Sequence, residues 1–215
     1  MAISTSDIAQ LRAKTGAGML DCKKALDESA GDMEKAIDTL RKKGIAKAAK
    51  RAGKVAAEGT VASYIHAGGK IGVLVEINCE TDFVAKNDGF TSIVEDIALH
   101  IAAAAPQCVS RDEVSAEMIE KEKDVYRAQL EAQGKPAEMI EKIITGKMDK
   151  FYSEICLLEQ SFIKDEDKTI EQLLTEKTGE IGEKISIRRF ARFELGEGIE
   201  KEEKSFAKEV EEQIA

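Results

Sequence analysis

The fold is decided by the stretch of residues 60–78, TVASYIHAGGKIGVLVEIN. Its two halves, 60–65 and 71–78, are rich in β-branched and aromatic residues at a period of two, and Ala67-Gly68-Gly69-Lys70 separates them. Such runs on either side of a glycine-containing turn predict a β-hairpin. The later run Lys184 to Leu195 also alternates and predicts a third antiparallel strand. Strict alternation would place five of its apolar residues on one side: Ile185, Ile187, Ala191, Phe193 and Leu195.

A helix is predicted to cover one face of this sheet. Between Phe90 and Ala105, apolar residues recur at helical intervals, and Pro106 follows, which ends helices. The hairpin, the third strand and this helix together predict a core with its own hydrophobic interior.

The N-terminal segment carries signals for three short helices. Ser4 or Ser6 can cap the first, which residues 15–18 interrupt, and Met19 to Gly31 forms the second. Asp32 can cap the third, which we expect to end at Gly44, with a basic helical connector over residues 45–54. We therefore predict a three-helix domain with its connector over residues 1–54 and a core domain over 55–215.

Two long helical segments are predicted in the second half of the chain. They span Ser115 to Gln133 and Pro136 to Ile155, with Gly134-Lys135 between them. We expect an antiparallel helical hairpin, about residues 115–156, that projects from the core. Ser205 to Ala215 is predicted to form a last helix. The predicted fold class is α+β.

Composition limits the function. The chain has 215 residues, 43% of them hydrophobic, and a formal net charge of -9. This is apolar enough to fold, and too acidic for a general affinity for nucleic acid or anionic membranes. Two basic stretches, 41–54 and 185–192, keep an RNA-binding ribosome accessory protein as an alternative. No apolar run reaches the ~20 residues of a membrane span. Together with Asp7 near the start, this predicts a cytoplasmic protein.

The sequence offers no recognisable active site. Gly68-Gly69-Lys70 lacks the other residues of a phosphate-binding loop, and neither His66 nor His100 has metal-ligand spacing to its neighbours. The four cysteines form no CxxC pair. We predict no catalytic residue, no metal site and no cofactor, and an enzyme remains a remote third hypothesis.

The most informative segment follows the second strand, at residues 78–87, NCETDFVAKN. It places an acid and a large aromatic at a strand-to-helix turn, and such turns usually face solvent. In one interpretation Asp82 caps the next helix while Phe83 and Val84 pack into the core. In the other, Phe83 protrudes and anchors an interface, with Asp82 beside it.

Four motifs decide between these interpretations. Residues 81–87, TDFVAKN, occur together with LRAKTGAGMLDCKKAL at 11–26, GKPAEMIEKIITGKM at 134–148 and RFELGEGIE at 192–200. In this order they closely resemble the bacterial elongation factor Ts family, in its short form with a single core unit. The resemblance covers nearly the whole chain.

The resemblance implies a guanine nucleotide exchange factor of translation elongation, with a ubiquitin-associated-like N-terminal domain. It would bind elongation factor Tu with GDP, dislodge the magnesium ion and promote GDP release. The residues that match the wedge loop of the family are Thr81, Asp82, Phe83 and Val84. Leu11, Met19 and Leu20 match N-terminal positions that touch the partner, although Leu11 could equally fill the small three-helix core.

The short form of the chain also bears on assembly. Longer family members carry two core units, and a lone three-stranded sheet can leave an apolar face or an edge open. We therefore expect a homodimer that forms a two-to-two complex with elongation factor Tu, and no binding to membranes or directly to nucleic acid.

Overall fold

The structure, a computed structural model, describes residues 3–199. Within them the chain forms eight α-helices and five strands. In chain order these are α1 (Thr5–Thr15), α2 (Met19–Glu28), α3 (Met33–Arg51), β1 (Glu58–Ile65), β2 (Ile71–Cys79), α4 (Asp82–Ala85), α5 (Asp88–Ala104), α6 (Ala116–Ala132), α7 (Ala137–Ile155), β3 (Ser161–Phe162), β4 (Asp165–Thr169), α8 (Ile170–Ile181) and β5 (Ser186–Glu194). The predicted α+β class is confirmed. The helix predicted over 205–215 lies outside the described residues.

The three N-terminal helices form where their caps predict. The Ser4 hydroxyl accepts a hydrogen bond from the backbone N–H of Asp7 at 3.1 Å, and the Asp32 carboxylate accepts one from Lys35 at the same distance. Both bonds satisfy a backbone donor that has no partner inside its own helix. A small core joins the three helices, consisting of Leu11, Cys22, Ala25, Leu26 and Ala36.

The predicted third helix and the predicted helical connector form one helix, α3, which continues through Gly44 to Arg51, so the end predicted at Gly44 is wrong. Gly44 lies where α3 crosses α8, and a β-carbon on Gly179 of α8 would be 2.7 Å from its Cα atom. The close packing of the two helices therefore depends on the missing side chain of Gly179, and Gly44 does not end α3. The predicted domain boundary at residue 54 falls between α3 and β1, and it remains a prediction.

The sheet has the order β1-β2-β5 and is antiparallel throughout, as predicted. Its inner face carries Val73, Val75 and Ile77, which pack with α5 and with Ile170 and Leu173 of α8. The predicted helix against the sheet is α5. Helix α8 and the short β3-β4 hairpin were not predicted.

The single-sided pattern predicted for the third strand is wrong. The register between β2 and β5 shifts at Glu76 and Ile77, so that Arg188 is an extra residue, a β-bulge. Ile185 and Ile187 face the core before the bulge. Because side chains alternate along a strand, one extra residue moves every later side chain to the opposite face of the sheet. The outer face therefore receives Ala191, Phe193 and Leu195.

The predicted helical hairpin is α6 and α7. Its seam is built from Leu130 of α6 and from Ile140, Ile144 and Met148 of α7, which recur at intervals of four residues. Ser115 caps α6, and its hydroxyl accepts a hydrogen bond from the N–H of Met118 at 3.2 Å. At the base, Arg111 joins the hairpin to the core through Asp149 and Glu159.

Candidate functional site

The candidate site begins where β2 leaves the sheet. Thr81 has extended backbone angles and caps the four-residue helix α4, accepting a hydrogen bond from the N–H of Val84 at 3.4 Å. Asp82 is the first residue of that helix and not its cap, so the capping role suggested for it is wrong. The Asp82 carboxylate instead pairs with Lys86 one turn later, at 3.0 Å, and both side chains are exposed.

Phe83 and Val84 have opposite environments. Val84 packs against the main hydrophobic core, whereas the Phe83 side chain is 82% exposed. Leaving a phenylalanine in water forgoes about 1.5–3 kcal/mol of burial free energy. Of the two interpretations of this segment, the exposed position agrees with a protruding anchor for Phe83, and the packing of Val84 agrees with a core residue.

Two acidic side chains, Glu183 and Glu80, hold the base of the loop of residues 81–84. The Glu183 carboxylate accepts hydrogen bonds from both the N–H and the hydroxyl of Thr81, at 3.0 and 2.8 Å. Glu80, next to Thr81, accepts from the N–H of Lys184 at 2.8 Å and pairs with Arg51 of α3, also at 2.8 Å. The Lys184 N–H, and then the charge of Arg51, hold the pKa of Glu80 below its ordinary value.

The thiol beneath the loop belongs to the same network. The Cys79 sulfur lies 3.1 Å from the Thr81 carbonyl and donates to it. Burial, and after it the negative charge of Glu183, raises the pKa of this thiol. Cys79 is therefore a neutral donor that fixes the backbone of the loop.

The N-terminal candidates divide into one buried and two exposed residues. Leu11 is fully buried in the three-helix core, which agrees with a packing role, and its contact with a partner remains a prediction. Met19 and Leu20 begin α2 and are 60% and 73% exposed. Two neighbouring large apolar side chains in solvent are available for contact.

The surroundings of His100, Cys108 and Cys156 favour the neutral forms of these side chains. His100 is buried, with Nε2 3.0 Å from Gln160 Oε1, and burial lowers its pKa. The sulfurs of Cys108 and Cys156 lie 3.6 Å apart, and burial raises the pKa of both thiols, that of Cys156 to about 12. Neither is a thiolate nucleophile at neutral pH. Over residues 3–199, no group of three or more His, Cys, Asp or Glu could hold a metal ion.

Sequence reasoning missed the residues that support the loop. Glu183 and Thr81 are 102 positions apart, and a glutamate after a glycine in an acidic chain carries no distinctive signal. The one available clue was the capping box of α8, Thr169 with Gln172, which predicts the helix that places Glu183. Among residues 3–199, no helix is long and apolar enough to cross a membrane.

Comparison with known proteins identifies the family of the chain. The family model described as Elongation factor TS matches residues 5–197. The elongation factor Ts of Geobacter sulfurreducens is 62% identical over 210 residues, which cover 98% of this chain and 97% of that protein. The corresponding proteins of Desulforamulus reducens and Acetivibrio thermocellus are 61% and 60% identical over 212 residues, 99% of this chain and 98% and 99% of theirs. The chain therefore belongs to the elongation factor Ts family.

Proposed function

We propose that this chain is the guanine nucleotide exchange factor of translation elongation. It binds elongation factor Tu loaded with GDP, dislodges the magnesium ion of that partner and promotes release of GDP, so that GTP can bind. The single observation that carries the mechanism is the solvent-exposed Phe83 on a loop whose base is fixed by Glu183 and Cys79. Membership of the family supports the identity of the partner.

The loop acts as a wedge. Binding energy from Phe83, with Thr81, Asp82 and Val84 around it, favours the state of the partner in which contacts to magnesium and phosphate are broken. By thermodynamic reciprocity, GDP must weaken the binding of the factor by the same ratio. Exchange therefore accelerates in both directions. It changes no covalent bond, so the chain works without an active site or cofactor of its own, in the cytoplasm.

Met19 and Leu20 form a second contact on the same partner. Both are exposed at the start of α2, and Leu11 below them holds the helices that present them. Large apolar side chains in solvent are typical of interface anchors. Arg51 of α3 bonds to Glu80 beside the loop, which links the N-terminal helices to the base of the loop.

The basic stretches favour a protein partner over RNA. Arg188 and Arg189 both pair with Glu76, at 3.5 and 2.7 Å, and in α3 Lys43 and Lys47 pair with Glu28 and Asp21, each at 2.8 Å. Cations neutralised by carboxylates displace few counterions from a phosphate backbone. Binding to RNA would have to break these pairs first.

The outer face of the sheet is proposed to bind a second copy of the chain. It exposes five large apolar side chains: Val61, Ile65, Leu74, Phe193 and Leu195. A twofold axis would set apolar residues against apolar residues. Glu76 of the central strand β2 is paired with Arg188 and Arg189. Two such sheets can stack face to face. The result is a homodimer with two partners bound.

The test follows release of a fluorescent GDP analogue, mant-GDP, from elongation factor Tu in a stopped-flow instrument. The chain should accelerate release in proportion to its concentration until saturation, and excess magnesium should oppose it. A release rate unchanged by the chain would refute the exchange function. A steep dependence of RNA binding on salt, with no effect on GDP release, would favour the RNA-binding alternative.

A further inference from the structure

Thr81 is the point at which the wedge loop is attached to the rest of the protein. Its N–H and hydroxyl both donate to Glu183, at 3.0 and 2.8 Å, and its carbonyl accepts from the Cys79 thiol at 3.1 Å. Every polar atom of Thr81 therefore has a partner. Two of these bonds go to one carboxylate, and bonds to a charged acceptor are roughly twice as strong as neutral ones.

Glu183 is itself held by a rigid element. It follows Gly182, which ends α8 with a left-handed backbone, φ 85°, and it precedes Lys184, whose N–H is bonded to Glu80 at 2.8 Å. The residues on both sides of Glu183 are therefore fixed. Gly182 is fixed by the end of α8, and Lys184 is fixed by its hydrogen bond to Glu80. The carboxylate reaches Thr81 from a backbone that has little freedom to move.

The short helix α4 needs this support. It has four residues, and a single helical turn is unstable on its own because nucleation costs more than one hydrogen bond returns. Val84 is the one residue of the Thr81 to Val84 wedge that packs on the core. Fixing a binding loop before the encounter removes the entropy cost of ordering it in the complex.

We propose that Glu183 is a positioning residue for nucleotide exchange, acting through Thr81 to hold Phe83 in its exposed position before the partner binds. This inference rests on the proposed exchange function. Glu183 lies below the loop and acts on GDP release without touching the nucleotide site.

The first experiment replaces Glu183 in the full-length chain. At concentrations of the chain that do not saturate the partner, Glu183→Ala should slow stimulated mant-GDP release roughly tenfold. This is the effect of losing about one charge-assisted hydrogen bond. Glu183→Gln keeps an acceptor for the Thr81 N–H, so its release rate should fall between those of the wild type and Glu183→Ala. Glu180→Ala removes the same charge three residues earlier, where the carboxylate pairs with Lys177 at 2.8 Å, and should leave the rate unchanged.

The decisive readout is a double-mutant cycle with Phe83→Ala. If Glu183 acts by positioning Phe83, its loss should have no further effect once the Phe83 ring is gone, beyond about twofold. A general structural role would instead give two independent losses that multiply. Multiplying losses, or a Glu183→Ala rate equal to wild type, would overturn the inference.

Two further outcomes are defined in advance. If Glu183→Ala does not fold, Glu183→Gln enters the same cycle, and a wild-type rate for that variant also overturns the inference. If the wild-type chain itself fails to accelerate GDP release, the exchange function is refuted. An active wild type with an unaffected Glu183→Ala variant refutes the positioning role alone.

Discussion

Gly179 of α8 faces Gly44 of α3 so closely that a β-carbon on Gly179 would lie 2.7 Å from the Gly44 Cα atom and 2.8 Å from its carbonyl oxygen. Real β-carbon atoms do not approach other atoms to this distance. The N-terminal helices therefore rest on the core by direct contact of two helix backbones, and the contact depends on the absence of one methyl group.

Gly179→Ala should destabilise the protein by about 1–3 kcal/mol, because the added methyl group must push α3 away. Thermal unfolding followed by circular dichroism measures the change. Two matched controls lie in helix interiors, Gly44→Ala and Gly146→Ala, where nothing lies within 4 Å of the added carbon. Both should stabilise by about 0.5–1 kcal/mol through helix propensity. Equal effects of all three substitutions would contradict the close contact.

Phe83→Ala should slow stimulated GDP release by roughly thirtyfold, the equivalent of losing about 2 kcal/mol at an interface anchor. The melting temperature should stay near that of the wild type, because the ring is 82% exposed. Val55→Ala is the control, since Val55 is equally exposed at 82% but lies outside the loop. A Phe83 variant that melts much earlier and still exchanges normally would refute the wedge role.

Leu74→Glu should convert the proposed dimer into a monomer. It places a charge in the middle of the apolar outer face of the sheet, where a second copy would have to desolvate it. Size-exclusion chromatography with light scattering reports the mass, and the monomer of this chain is 23.5 kDa. Val55→Glu adds the same charge away from that face and should leave the mass unchanged. A wild-type chain that elutes as a monomer at high concentration would rule out the dimer.

Acid should weaken the fold through His100. Burial holds its pKa below the ordinary 6.5, and its Nδ1 accepts a hydrogen bond from the N–H of Ile163 at 3.3 Å. Between pH 6.5 and the lowered pKa, the unfolded chain binds more protons, so this group stabilises the fold fully above pH 6.5 and progressively less below it. His100→Gln should therefore lose less melting temperature than the wild type between pH 7.5 and 5.5. If the wild type and His100→Gln lost the same melting temperature over this range, other titrating groups would dominate the acid sensitivity.

The sequence predicted the elements whose signals are local. The helical hairpin has Ser115 and Pro136 at its two helix starts, and the sheet has period-two runs beside a glycine turn. The bulge at Arg188 reversed the faces of the third strand, and a strict alternation cannot reveal an inserted residue. Gly44 was interpreted as a helix end because a close partner 135 residues away leaves no trace in its neighbours.

The candidate site was chosen from the sequence, but the contacts that support it were not predicted. Phe83 stands out because a large aromatic follows an acid at a turn, and a resemblance to known motifs identified it. The exposure of Phe83, the buried position of Leu11 and the hydrogen bond from Thr81 to Glu183 all depend on packing between distant segments. Local sequence rules describe one segment at a time and cannot supply these contacts.

Helix α8 sets limits on how the chain can change in length. It carries Gly179, against which α3 rests, and it ends just before Glu183, to which the loop is attached. Deleting one residue within the helix would turn everything beyond it by about 100° and shift it by about 1.5 Å. One such deletion before Gly179 would therefore disrupt both the contact of Gly179 with α3 and the hydrogen bonds of Glu183 to Thr81. Insertions should therefore be tolerated at Gly134, at the far end of the helical hairpin, and be excluded between Ile170 and Gly182.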